Sequence, residues 1–174
     1  RKGVMKAMLK ESFTILRERG QSLVLLMPVM AGIYLPYGFS YCYRKFKYQM
    51  PLQELAWVLP KVNGYEITCA NEKNVDIFRE IYEQYTKNLN GFLLRRQKEL
   101  GYILGEVFQT QQSGYAVFVK NEAGYCGYML YLLKDGVFKI VELVALADEA
   151  KIALLDYAGQ HFSQCDEIFW HAPE

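Results

Sequence analysis

A chain of 174 residues with 52% hydrophobic side chains can bury a full core, which excludes a disordered tail or a small stapled scaffold. Twenty Lys and Arg against nineteen Asp and Glu leave a formal net charge of +1. The basic residues are scattered among the acids, so nucleic acid is not an expected partner.

The four cysteines, Cys42, Cys69, Cys126 and Cys165, show no C-x-x-C spacing, so no metal site or redox pair is expected. They read as reduced, buried residues of a cytoplasmic protein. The longest apolar run, Leu23 to Tyr37, is interrupted by Pro28, Gly32 and Pro36 and falls short of the roughly 20 residues a membrane span needs. No signal peptide opens the chain, and no membrane partner is expected. Starting without Met on a basic turn, the sequence reads as cut from something longer.

From Val4 to Arg19, Met5, Met8, Leu9, Phe13 and Leu16 recur at three- and four-residue steps and predict an amphipathic helix ended by Gly20. Ser22 to Met27 is a continuous apolar run, the pattern of a strand buried on both faces. A helical turn follows over about Met30 to Leu35, closed by Pro36 and Gly38. Ser40 to Gln49 alternates and predicts a strand, and Leu52 to Leu59 reads as an apolar connector between Pro51 and Pro60. A domain boundary is placed between Leu59 and Gly64, giving domains over residues 1–60 and 61–174.

The second part predicts a strand at Tyr65 to Cys69, a helix at Asn74 to Leu89 and another from Phe92 to Gln109. Three strands follow, Tyr115 to Val119, Cys126 to Leu133 and Phe138 to Ala145, joined by hairpin turns. Asp148 is expected to cap a helix reaching His161, and Glu167 to His171 closes the chain as a strand. The fold class is α+β or mixed α/β, with mixed sheets flanked by helices.

Two stretches carry chemistry. Arg1-Lys2-Gly3-Val4-Met5 is a basic, glycine-bearing start to a helix, whose free N–H groups and dipole suit a pyrophosphate. Tyr34 lies on the short helix after the apolar run, where a phenol can give a proton to a departing thiolate. Tyr34 and Tyr37 read equally as packing aromatics. His161 and His171 read as surface or packing residues, Arg95, Arg96 and Lys98 as a solvated helix face, and Trp57 and Trp170 as core or domain-contact anchors.

In this order and spacing the two stretches resemble the second half of a GNAT-type N-acetyltransferase. There an Arg/Gln-x-x-Gly-x-Gly/Ala turn holds the pyrophosphate of acetyl-CoA, and a Tyr-x-x-x-Gly-Phe signature carries the acid. The motif's first Arg has no counterpart from Arg1 onward, and Met5 stands where a small residue is usual. Arg1-Lys2-Gly3-Val4 and Ile33-Tyr34-Leu35-Pro36-Tyr37-Gly38-Phe39 are similar to segments of the enhanced intracellular survival family, which joins a GNAT domain to a second GNAT-like domain. Val141-Glu142-Leu143-Val144-Ala145 before the Asp148 helix is similar to that second domain.

The resemblance implies an incomplete first GNAT domain here, with Tyr34 as general acid and Arg1, Lys2, Gly3, Val4 and Met5 as the phosphate cradle. It implies acetyl-CoA as cosubstrate, a small-molecule or lysine-like primary amine as acceptor, a homo-oligomer, and a catalytic base outside this chain. A non-catalytic GNAT-like binding or assembly module is the alternative. The second helix start, Ala147-Asp148-Glu149-Ala150, has two acids and no glycine, so the second module is not expected to bind acetyl-CoA.

Overall fold

The computed structural model of the chain describes residues 3–110 and 114–173. They fall into two compact units, Arg1–Arg44 and Lys45–Glu174.

In the first unit, helix α1 (Val4–Glu18) half-buries Met5, Leu9, Phe13 and Leu16, the face its periodicity predicts, while Met8 is exposed. Backbone bonds from Gly20 to Arg17 and from Gln21 to Leu16 close its C-terminal end. The run Ser22 to Met27 differs from expectation and forms no strand; Leu23 is 74% and Met27 90% exposed. Two-sided burial needs a pairing strand on each side, and the described strands all pair within the second unit. Two 3₁₀ turns follow, Ala31–Ile33 and Leu35–Tyr37. Pro36 sits inside the second turn, where its missing N–H costs nothing, and Gly38 at φ 89° ends it.

The second unit begins earlier than the boundary placed between Leu59 and Gly64. Strand β1 (Lys45–Pro51) starts five residues later than predicted and pairs antiparallel with the last strand from Lys45↔Pro173 to Pro51↔Glu167. The expected connector is helix α2 (Leu52–Val58), which buries Leu52 and Leu55 one turn apart. Trp57, expected as an anchor, is 85% exposed.

Strand β2 (Glu66–Ala70) leads through an Asn71–Asn74 capping box into α3 (Val75–Thr86), which buries Phe78, Ile81 and Tyr82. Helix α4 (Gln97–Gly105) starts five residues later than predicted, leaving Leu93 exposed, and widens into a π turn at Glu106–Thr110. Strands β3 (Gly114–Asn121), β4 (Gly124–Lys134) and β5 (Val137–Ala145) form the predicted hairpins. In α5 (Asp148–Gly159) the N-cap is Ala147; Asp148 is the first helical residue and makes no cap bond. Phe162, just beyond this helix, is exposed. Strand β6 (Glu167–Pro173) completes the sheet.

The sheet order is β1-β6-β5-β4-β3-β2, antiparallel except between β5 and β6, which α5 connects. This is a mixed α/β architecture with helices on both faces. Val117, Val119, Met129 and Tyr131 face a core shared with α2 and α5. Their neighbours Ala116, Phe118, Tyr128 and Leu130 face a second core shared with α3 and α4. The parallel pair is short, from Val137↔Glu167 to Lys139↔Phe169. Among the described residues no helix is long and apolar enough to cross a membrane.

Gly127 lies on central β4, and a Cβ there would stand 2.8 Å from the Val144 carbonyl oxygen and 2.9 Å from Val119 Cγ1. Gly127→Ala should therefore destabilise the protein by about 1–3 kcal/mol through overpacking, read as a lower urea midpoint at unchanged slope.

Candidate active site

Helix α1 opens on Gly3 at φ 100°, a left-handed residue with open space around it. The first helical bond runs from Ala7 N–H to the Gly3 carbonyl at 3.0 Å, so helix geometry leaves the amides of Val4, Met5 and Lys6 without an intrahelical acceptor. No side chain caps this end and no acid occupies its first turn. The dipole's positive end is therefore uncompensated among the described residues. Val4 is exposed and Met5 half-buried; Arg1 and Lys2 lie outside the described residues.

Tyr34 joins the two 3₁₀ turns. Its N–H donates to the Ala31 carbonyl at 2.9 Å, and its carbonyl accepts from Tyr37 N–H at 2.9 Å. Its ring meets Phe39 at 5.7 Å and 76°, and Phe39 meets Phe13 at 5.8 Å and 48°. Tyr34 is thus linked to α1 through Phe13, ten residues beyond Gly3, or ~15 Å along the helix axis. A cleft of about 910 Å³ in the same unit is lined by Phe13, Arg17, Gln21, Leu23, Tyr37 and Phe39 among others. Neither Tyr34 nor Gly3, Val4 and Met5 lines it.

Residues 1–42, which hold these features, match a model of the acetyltransferase (GNAT) domain. Residues 91–174 match a second model described in the same words.

Solved structures extend the likeness in fold. A conserved protein of unknown function from Enterococcus faecalis V583, described as a probable N-acyltransferase, is 20% identical with a TM-score of 0.85, over 99% of this chain and 43% of its own. A GCN5-related N-acetyltransferase from Anabaena variabilis ATCC 29413 is 19% identical with a TM-score of 0.81, over 99% of this chain and 44% of its own. Another from Kribbella flavida is 17% identical with a TM-score of 0.77, over 98% and 41%. The chain spans less than half the length of these structures. No curated protein matches it in sequence.

In the second GNAT-matching stretch the strongest polar cluster surrounds Arg95, which the sequence reading placed on a solvated face. Arg95 lies ahead of α4, and its two terminal nitrogens donate to both Glu142 oxygens at 2.7 Å. Its guanidinium stacks 4.2 Å over the Tyr82 ring, and Tyr128 Oη donates to Glu142 at 3.0 Å. The side chains of Arg95 and Glu142 are 15% and 20% exposed. Burial works against the Arg95 charge, but the hydrogen bond and charge of Glu142 outweigh it and raise the pKa. Burial, with the Glu142 charge, pushes the Tyr128 phenol far above the usual tyrosine range. Partners 47 residues apart carry no local spacing signal by which sequence could have paired them.

His161 packs against Tyr131, Phe138 and Tyr157, and His171 against Phe169. Cys165 is buried, whereas Cys42 and Cys69, expected inside, are exposed; all four cysteines are free. Among the described residues no group of three His, Cys, Asp or Glu side chains is placed to hold a metal ion.

Arg95→Ala leaves Glu142 with Tyr128 as its remaining partner in a largely buried setting and should cost about 2–3 kcal/mol, less than a fully buried pair because both side chains retain some water. An Arg95→Met, Glu142→Leu double variant should recover most of that loss in urea denaturation. Stability should also fall as pH rises above about 10. The unfolded Tyr128 phenol ionises near 10 while the folded one keeps its proton, so the folded state loses its advantage on the alkaline side. Tyr128→Phe should show a shallower alkaline decline in urea midpoint.

Proposed function

We propose that this chain is part of an acetyl-CoA-dependent N-acetyltransferase of the enhanced intracellular survival type, carrying the end of its catalytic GNAT domain and a second GNAT-like domain. The observation that carries the reading is the start of α1, glycine-opened, uncapped and free of acids, on the same helix against which Tyr34 is held. The amides of Gly3, Val4 and Met5 fit a pyrophosphate, with Arg1 and Lys2 adding positive charge beside it. Phe13 is offset from that end by ~15 Å of helix, a separation suited to the extended arm between the cofactor's phosphates and its thioester.

Acetyl-CoA supplies the activated acyl group. A primary amine attacks the thioester carbonyl, a C–N bond forms and the C–S bond breaks. Tyr34 gives its phenolic proton to the leaving thiolate, and the proton lost by the amine goes to a base outside this chain. Small-molecule amines and lysine side chains are both within this chemistry, and a homo-oligomer accompanies the resemblance.

The second GNAT-like domain we read as non-catalytic. Asp148 and Glu149 occupy the first turn of α5, where negative charge stabilises the helix and repels phosphate. In the parent enzyme, Tyr34→Phe should lower turnover by about 10²–10⁴ with coenzyme A affinity unchanged; full turnover in that variant would sink the assignment. Calorimetry should give one coenzyme A per chain, and two would remove the non-catalytic reading of the second domain.

A further inference from the structure

We infer that Phe39 and Phe13 are positioning residues that hold the Tyr34 phenol to α1 at a fixed distance from its phosphate-binding start, an inference that rests on the N-acetyltransferase reading above.

The local backbone constrains Tyr34 only weakly. The two 3₁₀ turns around it contribute four short-range bonds, Ile33 to Met30, Tyr34 to Ala31, Tyr37 to Tyr34 and Gly38 to Leu35. Among the described residues no hydrogen bond engages the Tyr34 hydroxyl. Ring packing is what aims the phenol. Tyr34 and Phe39 meet nearly at right angles, the favoured edge-to-face arrangement, and Phe39 leans on Phe13 at 48°. All three rings are half-buried while Ile33 and Leu35, on either side of Tyr34, are exposed.

Phe13 belongs to the helix that begins at Gly3, and a continuous helix is a rigid spacer. The series Phe13, Phe39, Tyr34 therefore fixes how far the acid stands from the cradle. A phosphate-anchored thioester meets the phenol only if that separation is kept. Loosening the series should damage proton delivery without weakening cofactor binding, since the amides of Gly3, Val4 and Met5 are untouched.

The test uses the full-length parent enzyme, acetyl-CoA, and whichever of spermine, an aminoglycoside or a lysine peptide it acetylates fastest, with thiol release as the assay. Phe39→Leu should lower kcat about tenfold with KM for acetyl-CoA and coenzyme A affinity unchanged, and Phe13→Leu about threefold. Phe39→Tyr, which keeps a ring, should restore most of the rate. The deciding arm is the double variant. In a Tyr34→Phe background Phe39→Leu should add no further loss, because the group it positions is gone. Full kcat in Phe39→Leu, or an equal loss with and without the Tyr34 hydroxyl, overturns the inference while leaving Tyr34 as the acid. Full kcat in Tyr34→Phe alone overturns the acid assignment instead. Should Phe39→Leu fail to fold, Phe13→Leu in the same two backgrounds decides the question by the same criterion.

Discussion

The second unit depends on burying the two central strands, β3 and β4, on both faces. Once Val117 and Val119 point one way and Ala116 and Phe118 the other, each face of the sheet needs its own apolar cover. Helices α2 and α5 supply one and α3 and α4 the other. The β5-α5-β6 crossover explains why one pair of strands is parallel in an otherwise antiparallel sheet: a helix brings the chain back to the same edge running the same way. Strand β1 then closes onto β6, which draws residues 45–51 into this unit although they precede α2 and the Pro60 break.

A single extra residue in β5 sets the chemistry of that sheet. Leu130 pairs with Glu142 but the next residue, Tyr131, pairs with Ile140, leaving Val141 as a bulge. Side-chain parity flips there. Ile140 faces the core of α2 and α5, whereas Val144 faces that of α3 and α4. Glu142 shares the face of Tyr128, where Arg95 meets it bidentately. In register with Ile140 and without the bulge, a carboxylate at this position would point toward the opposite core, beside Ile140 and away from Arg95.

What could be read from sequence was what neighbours in sequence decide. Helix α1, the α3 face, the β3-β4-β5 hairpins and the final strand all carry their period within the segment itself. The missed features depend on distant partners. Ser22 to Met27 has the composition of a buried strand, yet composition cannot supply the flanking strands. The bulge at Val141 is hidden within the apolar context of Ile140 to Ala145, and the Arg95–Glu142 pair joins segments whose proximity only the finished sheet creates. Trp57 shows the limit of residue type as a guide, because α2 turns its large indole to solvent while burying Leu52 and Leu55. At the candidate site, Gly3 and Tyr34 were legible as motif positions, but the rings of Phe13 and Phe39 that relate them were not. Those two phenylalanines stand 26 positions apart in the chain.

Helices α1 and α5 begin with opposite electrostatics. Helix α1 begins on a left-handed glycine with bare amides and no acid, and α5 begins on Ala147 with Asp148 and Glu149 in the first turn. For α5 the two carboxylates neutralise the positive end of the dipole and stabilise the helix by a few tenths to about 1 kcal/mol each. That satisfies the second unit's own fold and leaves little attraction for an anion. Helix α1 forgoes this stabilisation, and none of its residues is fully buried. A helix end without an Asp or Glu to stabilise it fits the phosphate-binding role proposed for it above. This asymmetry supports the proposal that α1, and not α5, engages the phosphates of the cofactor.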